Sequence, residues 1–143
     1  PYDGICMDET LGRAFLEYSA AKLEQLAGRI ETCLGQLPQE SVWYRGNQNA
    51  NAVGNLVLHL CGNVRQWIGT GVAGMPEVRD RDAEFAARDG GSAEDLSARL
   101  RSRTSEAAAV LRGLDPARLG DRIVVQGYQV SVLEAIYHVV EHY

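Results

Sequence analysis

Apolar residues recur at helical spacing in four stretches of the chain, separated by segments rich in glycine, proline and polar residues. The first stretch runs from Asp8, an expected N-cap, to Gly35, with Leu11, Phe15, Tyr18, Leu26, Ile30 and Cys33 as its stripe. Gly35 and Leu37-Pro38 close it. From Gln39 to Asn51 the composition turns polar, so this segment reads as a loop whose Trp43 and Tyr44 fold back on the core. A second helix is predicted from Asn51 to Ile68, with Val53, Leu56, Val57, Leu60, Val64, Trp67 and Ile68 apolar on more than one side. That breadth marks a helix buried over much of its circumference. Gly69, Gly71 and Gly74 are expected to break it and open a long loop reaching Gly91.

A capping box, Ser92-x-x-Asp95, starts the third helix, and Leu96, Leu100, Ala107, Leu111 and Leu114 form its stripe. Gly113 and Asp115-Pro116 end it. The β-branched run Ile123-Val124-Val125, followed by Gln126-Gly127, predicts an extended connector or small hairpin. A second capping box, Ser131-x-x-Glu134, opens the fourth helix, where Leu133, Ile136, Val139 and Val140 surround a polar stripe. Four helices with a long crossover between the second and third predict an all-α four-helix bundle.

Composition narrows this picture. At 143 residues and 45% hydrophobic, the chain supports one core and a single domain over residues 1–143. A net charge of −5 and interleaved charges around Arg99, Arg101, Arg103 and Arg112 argue against nucleic acid as a partner. No apolar run is long enough for a membrane span, so no membrane partner is expected. Cys6, Cys33 and Cys61 show no CxxC spacing and cannot all pair within the chain, which points to a reducing, cytoplasmic setting. The chain begins at Pro1 and stops at Tyr143, and we expect a missing segment at one or both ends, with truncation at the C-terminus.

The chemistry concentrates in three histidines. His138 and His142 are four residues apart in the fourth helix, so their imidazoles share one face and can reach one ion. His59, in the middle of the second helix, is a candidate third ligand. Three neutral imidazoles leave a fourth coordination position open, as in catalytic zinc sites. Against this stands the plainer alternative, three core histidines satisfied by hydrogen bonds. The pair also lacks the H-E-x-x-H order of metalloproteases, because Glu141 directly precedes His142. Cys61 and the two tryptophans read as core, and Glu134 reads as a capping residue before it reads as a partner for His138.

The second-helix segment Gly54-Asn55-Leu56-Val57-Leu58-His59-Leu60 and the closing His138-Val139-Val140-Glu141-His142 resemble the DinB-like family of four-helix-bundle metalloproteins over essentially the whole chain. The charged segment from Arg79 to Phe85 looks like one found in an uncharacterised branch of that family. The resemblance implies that His59, His138 and His142 bind a divalent metal, zinc or nickel. It further implies a metal-dependent enzyme, a thiol S-transferase or hydrolase acting on an electrophilic small molecule, with a low-molecular-weight thiol as a cofactor, and a homodimer. The competing expectation is a non-enzymatic metal- or ligand-binding helical protein, since fold does not transfer function. One departure from the family pattern is the stop at Tyr143. A helix's last turn frays, so His142 is expected to be a poorly held ligand.

Overall fold

The computed structural model describes residues 9–143, so the expected cap Asp8 and the cysteine Cys6 lie outside the described residues. The described chain is mostly helical, with six α-helices and a two-stranded antiparallel sheet. In order these are α1 (Glu9–Gln36), α2 (Gln39–Val42), α3 (Val53–Val64), α4 (Arg81–Ala86), α5 (Ala93–Gly113), β1 (Arg122–Val125), β2 (Tyr128–Ser131) and α6 (Val132–His142). A π-helical segment, Arg65–Val72, continues α3 without a break, and a 3-10 turn, Pro116–Gly120, links α5 to the hairpin. Among the described residues no helix is long and apolar enough to cross a membrane.

Both predicted capping boxes form. Ser92 accepts from the Asp95 N–H and Ser131 from the Glu134 N–H, while each acidic side chain returns to the backbone N–H of its serine. These reciprocal bonds satisfy N-terminal amides that the helix cannot pair internally. The α5 stripe of Leu96, Leu100, Ala107, Leu111 and Leu114 is buried as its spacing predicts. The β-branched run becomes a hairpin, with Val125 paired to Tyr128 across a two-residue turn in which Gln126 and Gly127 both have positive φ, 53° and 79°. That is the backbone a tight hairpin requires.

Three expectations need correction. The buried face of α1 is not the predicted stripe: Leu11, Tyr18 and Cys33 are exposed, whereas Gly12, Leu16, Ala20, Leu23, Ala27 and Leu34 face inward. Small residues on that face let other elements approach closely. A Cβ at Gly12 would stand 2.8 Å from the Pro116 Cβ. Second, Gly69 and Gly71 do not break the second helix, which runs on to Val72. A Cβ at Gly71 would meet Val125 Cγ2 at 2.6 Å, so this glycine admits the hairpin. Gly74, at φ +72°, follows the segment's end, its N–H bonded to the Thr70 carbonyl. Third, the long crossover is not structureless, because it carries α4. In the segment before α3, Trp43 folds inward and donates from Nε1 to the Gly91 carbonyl at 2.8 Å, but Tyr44 is exposed.

The core forms two adjoining clusters. One gathers Leu16, Leu23, Val64, Trp67, Ile68, Leu111, Ile136 and Val139, and the other Ala27, Leu34, Val42, Val57, Cys61, Leu96 and Leu100. Tyr143 packs against both, and its hydroxyl lies 3.0 Å from that of Thr104 on α5. The end of α6, and with it His142, is therefore pinned to the core rather than left to fray.

Candidate metal centre

The three histidines, separated by as many as 83 positions in the chain, meet between α3 and α6. His59 Nε2 and His142 Nε2 are 3.3 Å apart, and the rings of His138 and His142 have centroids 4.6 Å apart. Two nitrogens bound tetrahedrally to one ion at 2.0–2.1 Å are about 3.3 Å apart, so the first pair already has the span of two ligands. His138 lies over the Trp67 ring, centroids 4.1 Å apart, with its Nε2 3.4 Å from Asn63 Nδ2. Among the described residues, no group of three or more His, Cys, Asp or Glu side chains stands as a ready-made ligand set.

Burial drives the pKa of both His59 and His138 below the ordinary histidine value. For His59 the bond to Glu84 works in the opposite direction, and for His138 the neighbouring His142 adds to the depression. Both imidazoles are neutral at pH 7, the form that can ligate a metal. Two buried polar atoms beside His138, Asn63 Oδ1 and Trp67 Nε1, have no hydrogen-bond partner among the described residues. A buried polar group without a partner carries a desolvation cost of about 1–3 kcal/mol, so the arrangement has unused bonding capacity.

Behind His59 stands a residue that the spacing of histidines does not reveal. Glu84 on α4 is buried, and its Oε2 is 3.2 Å from His59 Nδ1. Arg79 grips the same carboxylate from Nε at 2.8 Å and Nη2 at 2.9 Å, while its Nη2 also lies 3.0 Å from His59 Nδ1. One nitrogen cannot both donate to Glu84 and accept from Arg79. In one tautomer Nδ1–H donates to Glu84 and the Nε2 lone pair points toward His142; in the other, Nδ1 accepts from Arg79 and Nε2–H donates to His142. The first is the carboxylate–histidine arrangement that orients metal ligands.

The placement of Glu84 is built from below. Asn55, fully buried on α3, donates from Nδ2 to the carbonyls of Glu84 and Ala87, both at 2.9 Å. Its Oδ1 accepts from the Ala52 N–H at 3.0 Å and from Arg45 Nη2 at 2.8 Å. Arg45 Nη2 also bonds the Phe85 carbonyl at 2.7 Å. Gly62 supplies the remaining room, because a Cβ there would lie 1.8 Å from Glu84 Oε1. The sequence signal for all this was the charged segment from Arg79 to Phe85, within which nothing singles out Glu84.

Other candidates fall away. Glu134 is exposed and engaged by Ser131 and Arg122, so it serves as a cap. Burial pushes the Cys61 thiol up to about 11, which leaves it protonated and a poor nucleophile. An apolar cleft of about 350 Å³ opens onto His59 and His142, walled by Ile30, Val53, Leu56, Val57, Leu60 and Tyr143.

Fold and site together define a mostly helical protein with a half-buried three-histidine cluster backed by an Arg–Glu pair. The chain belongs to the DUF1572 family, described as proteins of unknown function, whose family model matches residues 10–143. No curated protein matches the chain.

Proposed function

We propose that this chain is a four-helix bundle of the DinB-like type in which His59, His138 and His142 hold a divalent metal, zinc or nickel, and that it is a metal-dependent enzyme. The observation that carries this reading is the 3.3 Å separation of His59 Nε2 and His142 Nε2, with Glu84 placed to hold the proton on His59 Nδ1. Bound there, the ion would supply Lewis acidity that lowers the pKa of a thiol or water near neutral pH. The apolar cleft beside His59 and His142 suits the hydrophobic part of an electrophilic small molecule. A thiol S-transferase or hydrolase reaction, with a low-molecular-weight thiol as co-substrate, is the activity this reading assigns.

Elemental analysis of the purified chain beside its His59→Ala variant tests the metal. One equivalent of zinc or nickel, lost in the variant, is the expected result; equal, sub-stoichiometric metal in both would overturn it. A second reading, a non-enzymatic helical protein with hydrogen-bonded core histidines, is favoured by the Nε2–H to Nε2 bond that one His59 tautomer makes with His142. A homodimer belongs to the first proposal. The exposed Leu11 and Tyr18, seven residues apart on one face of α1, offer it an apolar stripe, and a monomer mass in light scattering would remove it.

A further inference from the structure

We propose that a second cleft, between α3, α4 and α5, binds an anion: a phosphate or carboxylate group carried by a small organic molecule. The cleft measures about 470 Å³ and its walls carry four guanidinium groups, Arg65, Arg79, Arg99 and Arg103, against the two carboxylates of Asp80 and Glu84. Both carboxylates are committed elsewhere. Glu84 is held by Arg79, which neutralises that pair, and Asp80 caps α4 by accepting from the Ala83 N–H.

Three arginines remain under-used. Among the described residues the Arg99 guanidinium has no hydrogen bond or ion pair. Arg65 makes only long contacts, 3.5 Å to Thr70 Oγ1 and 3.4 Å to the Pro76 carbonyl. Arg103 pairs with Glu106 three residues on, a half-exposed surface pair of the kind that contributes little. Arg99 and Arg103 are four residues apart on α5 and so share a face, where like charges repel. A protein of net charge −5 that gathers four guanidinium groups around one concavity, two of them only loosely matched by Asp95 and Glu106 one turn away, sets a local field against its overall one. An oxyanion relieves that repulsion, and the planar fork of arginine matches phosphate and carboxylate oxygens in pairs. The cleft has the volume of a small-molecule site, larger than an inorganic ion needs, so the anionic group is one end of an organic ligand.

This site does not depend on a metal at the histidines, and the test separates the two. Inorganic phosphate, pyrophosphate and citrate are titrated calorimetrically at low ionic strength into the full chain, its His59→Ala variant, and an Arg99→Gln/Arg103→Gln variant. The expected result is saturable binding of a phosphate or of citrate, retained in His59→Ala and weakened at least about tenfold in the double variant. Arg112→Gln, which removes a guanidinium bonded to Glu17 and Glu24 outside the cleft, should leave the affinity unchanged. Absence of heat with all three anions up to about 10 mM would overturn the proposal. So would equal affinity in the double variant, or binding lost in His59→Ala and kept in the arginine variant, which would locate the anion at the imidazoles. Should the double variant fail to fold, Arg99→Gln alone decides by the same criterion, since among the described residues that guanidinium makes no hydrogen bond or ion pair.

Discussion

Replacing Asn55 by alanine is the sharpest test of how this fold delivers Glu84 to His59. The side chain is fully buried and makes four hydrogen bonds, two as acceptor and two as donor. Not all four partners are stranded by its loss, because the Ala87 carbonyl keeps Arg45 Nη2 at 3.0 Å. The Ala52 N–H at the start of α3 and the side-chain bond to the Glu84 carbonyl are lost outright. At 1–3 kcal/mol for each unsatisfied buried group, partly relieved by water entering the small hole, the expected destabilisation is about 3 kcal/mol. With an unfolding entropy of about 2.1 cal/mol/K per residue, a 143-residue chain loses roughly 3 °C per kcal/mol. Melting followed by far-UV circular dichroism should therefore fall by about 10 °C. Hydrogen exchange should quicken most from Glu84 to Ala87, where α4 loses its anchor. A melting point within about 2 °C of the parent, with exchange in α4 unchanged, would refute the argument that Asn55 holds this segment.

Glu84→Gln removes the charge that favours Nδ1–H on His59 and weakens the grip on the buried Arg79; metal affinity in a chelator competition should fall about 10–100-fold, and an unchanged affinity would remove Glu84 from the site. Gly62→Ala should reproduce that loss by steric displacement of Glu84 without touching its charge. Gly12→Ala gains up to about 1 kcal/mol of helix propensity but forces apart a 2.8 Å contact with Pro116, at an overpacking cost of about 1–3 kcal/mol, so urea denaturation should show net destabilisation. In native protein at about pH 8, peptide mapping after alkylation should find Cys33 modified and Cys61 spared. Its raised pKa keeps the buried thiol protonated until the pH climbs toward 11, and equal labelling of the two would contradict its burial.

The amino-acid sequence by itself determined the elements whose signals are local. Both capping boxes, the α5 stripe and the Gln126-Gly127 hairpin depend on bonds and periodicities within a few residues of one another, and each appears where its pattern places it. The three histidines were legible for a similar reason: they are the only ones in the chain, and two of them sit at helical spacing. Tertiary structure decided the rest. The face that α1 buries depends on which surface approaches it, and Gly12, Ala20 and Ala27 are chosen by closeness of packing, which hydrophobicity does not record. Gly71 reads as a breaker until the hairpin lies against it. Glu84 is one acidic residue among several in a charged segment. It acquires a role only because Asn55, Arg45 and Gly62, scattered along the chain, together hold α4 where a carboxylate can reach an imidazole 25 positions away. Local rules fix what a segment becomes, whereas a site made by contacts between distant segments exists only once the chain has packed.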